Sequence, residues 1–137
     1  MRLAKGKWPW PALALWGVLS CGPGVDTSEG IARQFMDRYY VAIDLTGAKK
    51  LCTGLALKKI NKELELTQGQ DITSDTRKPH IRYSLLSQKK VGKFLMIFLF
   101  ENEIHVKKMG VYKKRCQIAL RKREQDWKVS HFKDYDA

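Results

Sequence analysis

Cysteine and histidine are scarce in this chain of 137 residues, which has three of each. The cysteines are Cys21, Cys52 and Cys116, and none lies at the close spacing to a histidine or another cysteine that a zinc site or a redox motif requires. A glycine-rich phosphate loop and a nucleophile elbow are also missing. These absences argue against metal, nucleotide and nucleophilic-serine chemistry.

Acidic residues are few as well, since 14 aspartates and glutamates face 26 lysines and arginines and leave a net charge of +12. Such an excess favours anionic partners, such as phospholipid head groups, nucleic acid or acidic glycans, although it can also serve solubility alone. The hydrophobic fraction of 44% is too high for a disordered chain. The length predicts one globular domain.

A hydrophobic run long enough to span a bilayer is missing too. The longest at the N-terminus, residues 8–19, would extend about 18 Å as a helix, against the ~30 Å of a hydrocarbon core. It follows the basic residues Arg2, Lys5 and Lys7, and Ser20 is the small residue at its end. This order predicts a cleaved signal peptide over residues 1–20, and removing its three basic residues from +12 leaves +9 on the mature chain.

The run Val18-Leu19-Ser20-Cys21 resembles the lipobox of bacterial lipoproteins. The resemblance implies a diacylglycerol on the Cys21 sulfur, cleavage before Cys21 and acylation of the new amino group. Residues 21–27 are then a tether, and Gly22 in place of aspartate implies the outer membrane, facing the periplasm. The alternative is a secreted protein with an unmodified Cys21. With Cys21 lipidated, Cys52 and Cys116 remain as one possible disulfide.

Helices are predicted in the first half of the domain. Asp26 and Glu29 have the spacing of a capping pair, and a stripe with a period of four follows at Ile31, Phe35, Tyr39 and Ile43. A short second helix carries Ala48, Leu51 and Cys52. The third directs its apolar residues inward, namely Leu57, Ile60 and Leu64, and its charged residues outward, namely Lys58, Lys59, Lys62, Glu63 and Glu65.

Strands are predicted in the second half, where the apolar period changes to two. The first strand covers 81–85 and is followed by a turn at 88–92, and the second covers the apolar run 94–100. A polar connection at 101–110 leads to a long strand at 112–121, and the last strand runs from Trp127 to Phe132. Helices followed by about four strands predict an α+β fold with an antiparallel sheet.

This order of elements resembles the nuclear-transport-factor-2-like domains of the cystatin-like superfamily. The residues that carry the resemblance are the opening helix 31–40, the strand run and the closing Trp127-Lys128-Val129-Ser130-His131-Phe132. The resemblance implies N-terminal helices packed in the hollow of a curved sheet, a domain over residues 28–133 and a tail at 134–137. The family contains enzymes and many proteins without activity, so the fold alone implies no reaction.

An enzyme of this family needs an acid or a base in the hollow. The residues of suitable type are Asp37, Tyr39, Tyr40, Asp44, His80, Tyr83, His105 and His131. A structural role in packing or capping explains these residues better than catalysis does. Tyr39 lies on the core stripe, Asp44 precedes a helix, and His131 shares the strand face of Trp127 and Val129. No catalytic pattern of the family fits these positions, and we predict no catalytic, cofactor-binding or metal-binding residue.

The run 94–100 is apolar on both of its faces, whereas a strand with one wet face should alternate. One face therefore needs a partner, and we expect a homodimer through the outer surface of the sheet. Flanking lysines and arginines protect such a strand from aggregation or meet anionic lipid head groups. The leader argues against nucleic acid. The predicted function is a membrane-tethered envelope lipoprotein with a non-catalytic binding or assembly domain; the alternative is an enzyme or small-molecule binder using the hollow.

Overall fold

The computed structural model describes residues 27–67 and 79–137. The predicted signal peptide, Cys21 and all of the tether except Thr27 lie outside these residues. Three helices precede four strands: α1 (Ser28–Phe35), continued by a π-helical segment (Met36–Val41), then α2 (Leu45–Lys49), α3 (Gly54–Leu66), β1 (His80–Val91), β2 (Leu95–Val106), β3 (Gly110–Arg123) and β4 (Asp126–Asp136).

Short polar side chains start the first two helices. The Gly30 N–H donates to Thr27 Oγ1 at 3.0 Å, so Thr27 caps α1; Asp26, which the sequence favoured, lies outside the described residues. The Gly47 N–H donates to Asp44 Oδ1 at 2.9 Å, and the predicted capping role of Asp44 is confirmed. Satisfying these N–H groups fixes where α1 and α2 begin.

The four strands form one antiparallel sheet in the order β1-β2-β3-β4, curved and not closed into a barrel. The predicted α+β class is confirmed. The polar connection predicted at 101–110 is wrong, because β2 runs to Val106 and pairs with β3 throughout. Glu101 lies opposite Arg115 and Glu103 opposite Lys113, so these polar residues occupy the wet side of a regular strand.

Strand β1 also exceeds its prediction, since the expected turn at 88–92 is mostly strand and the chain turns at 92–94. At the other end of the sheet, β4 continues through Asp136, so the predicted tail 134–137 belongs almost entirely to the sheet. The lysines and aspartates at these strand ends explain the difference. A segment rich in charged residues is predicted as a turn when no alternating apolar residues indicate a buried face.

Aromatic and aliphatic side chains fill the hollow of the sheet. Phe98, Phe100 and Ile118 lie on its inner face with no exposed surface, and Phe35 of α1 packs among them, also fully buried. The Phe35 ring lies 4.8 Å from that of Phe132. The predicted core stripe of the first helix is therefore confirmed at Ile31, Phe35 and Tyr39 but not at Ile43, which lies beyond the end of the helix, and the inward face of α3 is confirmed, with Ile60 fully buried.

A bulge in β4 interrupts the regular alternation of its side chains between the inner and outer faces of the sheet. Ala119 pairs with His131 and the next residue, Leu120, pairs with Val129, so Ser130 is an extra residue in β4. Val129 is buried against the helices, whereas His131 is exposed on the outer face. The prediction that His131 shares the face of Val129 is wrong, because a simple period of two does not hold across a bulge.

Both cysteines of the domain are buried free thiols. The backbone of Cys52 pairs with Val129 in an isolated β-bridge, and Val129 pairs with Leu120 of β3. Cys116 lies four residues from Leu120 along β3. At about 3.3 Å per residue the strand alone separates the two cysteines by about 13 Å, beyond the ~7 Å that a disulfide tolerates between Cα atoms. The geometry therefore argues against the disulfide that the sequence left open.

We predict two free thiols, Cys52 and Cys116, in the domain of residues 22–137. Burial raises the pKa of both the Cys52 and the Cys116 thiol to about 12, so they should react slowly with a thiol reagent in the native state and fully after denaturation. Counting thiols under denaturing, non-reducing conditions checks this. A count of zero would require a disulfide and a different pairing of β3, β4 and the segment at Cys52.

Candidate functional site

Three tyrosines on the inner side of the sheet each donate a hydrogen bond to a carboxylate. The Tyr39 hydroxyl lies 2.7 and 2.8 Å from the two oxygens of Glu63, and the Tyr83 hydroxyl lies 2.6 Å from Asp37. The Tyr40 hydroxyl donates to Asp134 and lies 3.0 Å from Cys116 Sγ. These pairs tie the helix layer together and to the sheet.

Burial makes the largest contribution to the raised pKa of all three phenols, and the neighbouring carboxylates raise the pKa further. The pKa of Tyr83 rises to about 12, and those of Tyr39 and Tyr40 rise more. A general base should titrate near the working pH, and these groups stay protonated far above it. They act as fixed hydrogen-bond donors.

A pocket of about 460 Å³ opens beside two of these tyrosines, on the helix side of the domain. Among the described residues, its lining comes from the π-helical segment, the connection to α2, the start of α2 and the end of α3, namely Tyr39, Tyr40, Ile43, Leu45, Glu63, Leu66 and Thr67. Most of them are apolar or aromatic. Its size falls within the roughly 300–1,000 Å³ of small-molecule sites.

Five of these seven residues are not among the candidates that the sequence indicates, and Glu63 and Ile43 are the most informative of them. The charged face of α3 predicts an outward Glu63, but it is half-buried and held by Tyr39. Ile43 continues the helical stripe in sequence, yet its φ is 55°, which is rare for a β-branched residue. The π-helical segment Met36–Val41 has a wider turn than an α-helix, with one extra residue. This extra residue ends the helix and brings Ile43 to the pocket, and an apolar period in the sequence does not reveal it.

The outer face of the sheet carries a second candidate surface, which we call the outer strip: Leu95, Ile97, Leu99 and Ala119. Its members are neighbours on β2 and β3, and all are partly exposed. Basic residues flank it on β1, β3 and β4, namely Lys89, Arg115, Arg121 and Lys133, whereas Lys128 of β4 donates through Nζ to the Lys50 carbonyl at 3.0 Å. The Phe and Met residues of the run 94–100 thus face the helices or the turn, and the Leu and Ile residues face outward.

The histidines lie apart from both surfaces or at their rims. His80 and His105 are paired across β1 and β2 with ring centroids 6.1 Å apart, a contact that their positions in the sequence do not reveal. His105 Nε2 lies 2.6 Å from a carboxylate oxygen of Glu103.

Within residues 27–67 and 79–137, no group of three or more metal-ligating side chains comes together. In the same residues no helix has the length and hydrophobicity needed to cross a membrane.

Comparison with known proteins supports the fold. No family model and no curated protein matches the chain. A calcium/calmodulin-dependent protein kinase type II association domain from Thiobacillus denitrificans is similar, with a TM-score of 0.61 and 8% identity over 85% of this chain and 99% of that one. The CamKII hub homology domain of Chlamydamonas reinhardtii has a TM-score of 0.57 and 10% identity, covering 80% and 95%. The fold is therefore nuclear-transport-factor-2-like, as the sequence resemblance implied.

We predict that the folded state loses stability above pH 10. Tyrosines of the unfolded chain ionise near pH 10, whereas the folded protein keeps Tyr39, Tyr40 and Tyr83 protonated to higher pH. The stabilisation is complete below pH 10 and falls as the pH rises towards 12, because only the unfolded state gains by ionising. Urea unfolding midpoints between pH 8 and pH 11.5 measure the decline.

Tyr40→Phe should make that decline shallower, because it removes one of the three phenols. At pH 8 the same variant should lose about 1–2 kcal/mol, since Asp134 and Cys116 lose their hydrogen-bonding partner. Tyr112→Phe, at a tyrosine that is 47% exposed, is the matched control. A pH dependence identical for wild type and Tyr40→Phe would contradict the assignment.

Proposed function

We propose that this chain is a lipid-anchored envelope protein whose nuclear-transport-factor-2-like domain associates with a second copy of itself and has no catalytic role. The supporting observation is the division of roles between the two faces of the sheet. The inner face is filled by side chains without exposed surface, such as Phe35 and Phe98, whereas the outer strip is partly exposed. Both similar structures are described as association or hub domains, which fits a binding module.

The charges on the outer face suit a two-fold arrangement. Glu101 and Glu103 lie on one half of β2 beside Arg82, Lys113 and Arg115, and the basic residues Lys89 and Arg121 flank its other half. An axis that lies in the interface, perpendicular to the strands and near Leu99, would place Glu101 and Glu103 of one copy opposite Lys89 and Arg121 of the other. Such an isologous contact pairs opposite charges twice and buries both outer strips.

Repulsion limits how tight this contact can be. Basic residues outnumber acidic ones on the outer face, and Glu101 already has Arg115 Nε at 3.8 Å and Lys113 Nζ at 4.0 Å within its own chain. Burying the outer strip must outweigh the excess positive charge. Salt screens such repulsion, since the Debye length is about 10 Å at 0.1 M. We therefore expect the dimer to strengthen as the salt concentration rises.

Sedimentation velocity of residues 22–137 at tens of micromolar tests the association. The wild-type domain should sediment as a dimer, and Ile97→Lys should make it a monomer, because the new charge lies inside the outer strip. Val111→Lys is the matched control, since Val111 lies on the same face but at the end of β3 and is 53% exposed. A wild-type monomer at both low and high salt would refute the homodimer.

Anionic lipid head groups are the other occupant that the basic residues suit, and vesicles separate the two. If the outer face meets a membrane, residues 22–137 should bind vesicles that contain phosphatidylglycerol, bind less as salt rises, and ignore neutral vesicles. This salt response is opposite to that of the dimer. Binding of this kind by a monomeric domain would replace self-association with a membrane-facing role.

Lipidation at Cys21 is the second component of the proposal, and its basis is the run Val18-Leu19-Ser20-Cys21 behind the basic and apolar leader. Mass spectrometry of the membrane fraction should find a chain that begins at an acylated Cys21. Cys21→Ala should block processing or release the protein, because one or more acyl chains at ~0.8 kcal/mol per buried methylene hold it in the bilayer. Intact Met1 on protein from the soluble fraction would contradict the anchor.

An enzyme or small-molecule binder using the hollow remains the alternative. The observation in its favour is Asn102, which lies on the inner face with 2% exposure and whose Oδ1 has no hydrogen-bond partner within the described part of the chain. Tyr83, its neighbour on β1, is a protonated donor held by Asp37. Buried groups of this kind can orient a ligand or a water molecule, but they do not supply a base.

A further inference from the structure

The pocket on the helix side is separate from the filled hollow, since its described lining comes from helices and their connections and not from the sheet. Three of its walls are aliphatic, namely Ile43, Leu45 and Leu66, and Leu66 is 72% exposed. Leaving so much of a leucine in water is costly for one chain, and an apolar ligand in the pocket would cover it. The walls thus indicate a ligand with an apolar part.

Glu63 sets the polarity of the same pocket. It is the charged residue among the described lining, and within the described chain no lysine, arginine or histidine nitrogen lies within 4.0 Å of its carboxylate. The Tyr39 hydroxyl contacts both of its oxygens but brings no positive charge. A carboxylate has about four acceptor positions, so Glu63 can accept further hydrogen bonds.

The surroundings of Glu63 favour a positive charge over the other possibilities. A carboxylate ligand would be repelled by Glu63, and an alcohol would donate one hydrogen bond to the carboxylate without bringing a positive charge. An ammonium group has three N–H donors and adds the Coulombic attraction between opposite charges. The rings of Tyr39 and Tyr40, which pack edge to face with centroids 4.7 Å apart, line the same pocket.

We propose that this pocket binds a small amphiphilic amine, with its ammonium group at Glu63 and its apolar part against Ile43, Leu45 and Leu66. Tyr39 is a positioning residue, because its hydrogen bonds to both oxygens hold the Glu63 carboxylate in one orientation. The proton of Tyr39 stays on the phenol, so the negative charge stays on Glu63. The site does not depend on the outer face or on self-association.

Three probes with the same hydrocarbon chain test the ligand class: hexylammonium, hexanol and hexanoate. Each is titrated by calorimetry into the full chain in a non-ionic detergent, with detergent alone as the blank. Hexylammonium should bind at least tenfold more tightly than hexanoate, with hexanol between them. No heat of binding from any probe, or an equal affinity for all three, overturns the proposal.

Variants assign the binding to the pocket. Glu63→Gln keeps an acceptor for Tyr39 but removes the charge, and it should weaken hexylammonium about tenfold and hexanol by a clearly smaller factor, because only the ammonium group loses an ion pair. Glu65→Gln makes the same change at an exposed position outside the pocket lining and should alter neither. Leu66→Trp should exclude all three probes by filling the pocket, with little risk to folding because Leu66 is largely exposed.

Further outcomes separate this site from the proposed function. If Leu66→Trp still binds hexylammonium, or if Glu65→Gln weakens it as much as Glu63→Gln does, the ligand binds elsewhere and the proposal fails. Ile97→Lys, which should disrupt the dimer, should bind the probes as the wild type does. Loss of the dimer with probe binding retained would therefore count against self-association alone.

Discussion

Phe35 makes the contact on which the helix layer depends. It is fully buried, stacks with Tyr39 at a centroid distance of 5.3 Å, and meets Phe132 of β4 at 4.8 Å. Phe132 in turn contacts Tyr39 at 4.9 Å. Replacing such a phenylalanine by alanine typically costs about 3–5 kcal/mol, a large share of the stability of a domain this size. The cluster therefore fixes α1 and the π-helical segment on the sheet.

The position of the helices then determines how the carboxylates are held. Asp37, Glu63 and Asp134 each accept from a tyrosine, although the chain has 26 lysines and arginines that could have paired with them. A phenol satisfies a carboxylate oxygen without cancelling its charge. Each tyrosine thus satisfies a carboxylate without an ion pair, although residues 27–67 hold seven lysines and arginines against five acidic residues, so the helix layer is net basic, as the outer face is.

Apolar patterns in the sequence predicted the parts of the fold that those patterns control. The period of four through Phe35 and Tyr39 identified the first helix, and the alternation around Ile118 identified a central strand. Polar features that depend on tertiary neighbours were missed. Strand β2 continues through Glu101 and Glu103 because β3 offers basic partners, and no local sequence shows that pairing.

The candidate surfaces illustrate the same limit. The apolar run 94–100 indicated that one strand face lacks a cover, but the sequence did not tell whether the phenylalanines or the leucines would be outside. The sequence does not indicate Glu63 as a site residue, because a glutamate on a helix rich in charged residues usually faces solvent. Tyr39 lies in the π-helical segment and donates to Glu63 of α3, and this tertiary contact, which no local pattern reveals, holds Glu63 at the pocket.

The placement of the two surfaces on opposite sides of one thin sheet has a consequence for how the protein could work. A face-to-face dimer through the outer strip would bury Leu95, Ile97 and Leu99 and leave both helix layers pointing away from the interface. Each copy would then keep its pocket at Glu63 open. Because the aromatic cluster between the two surfaces is close-packed, a ligand that changed the tilt of α1 would press on Phe132 and β4, and tightly packed interiors transmit such strain. Association and ligand binding are therefore compatible in geometry, and coupling between them would have to pass through Phe35 and Phe132.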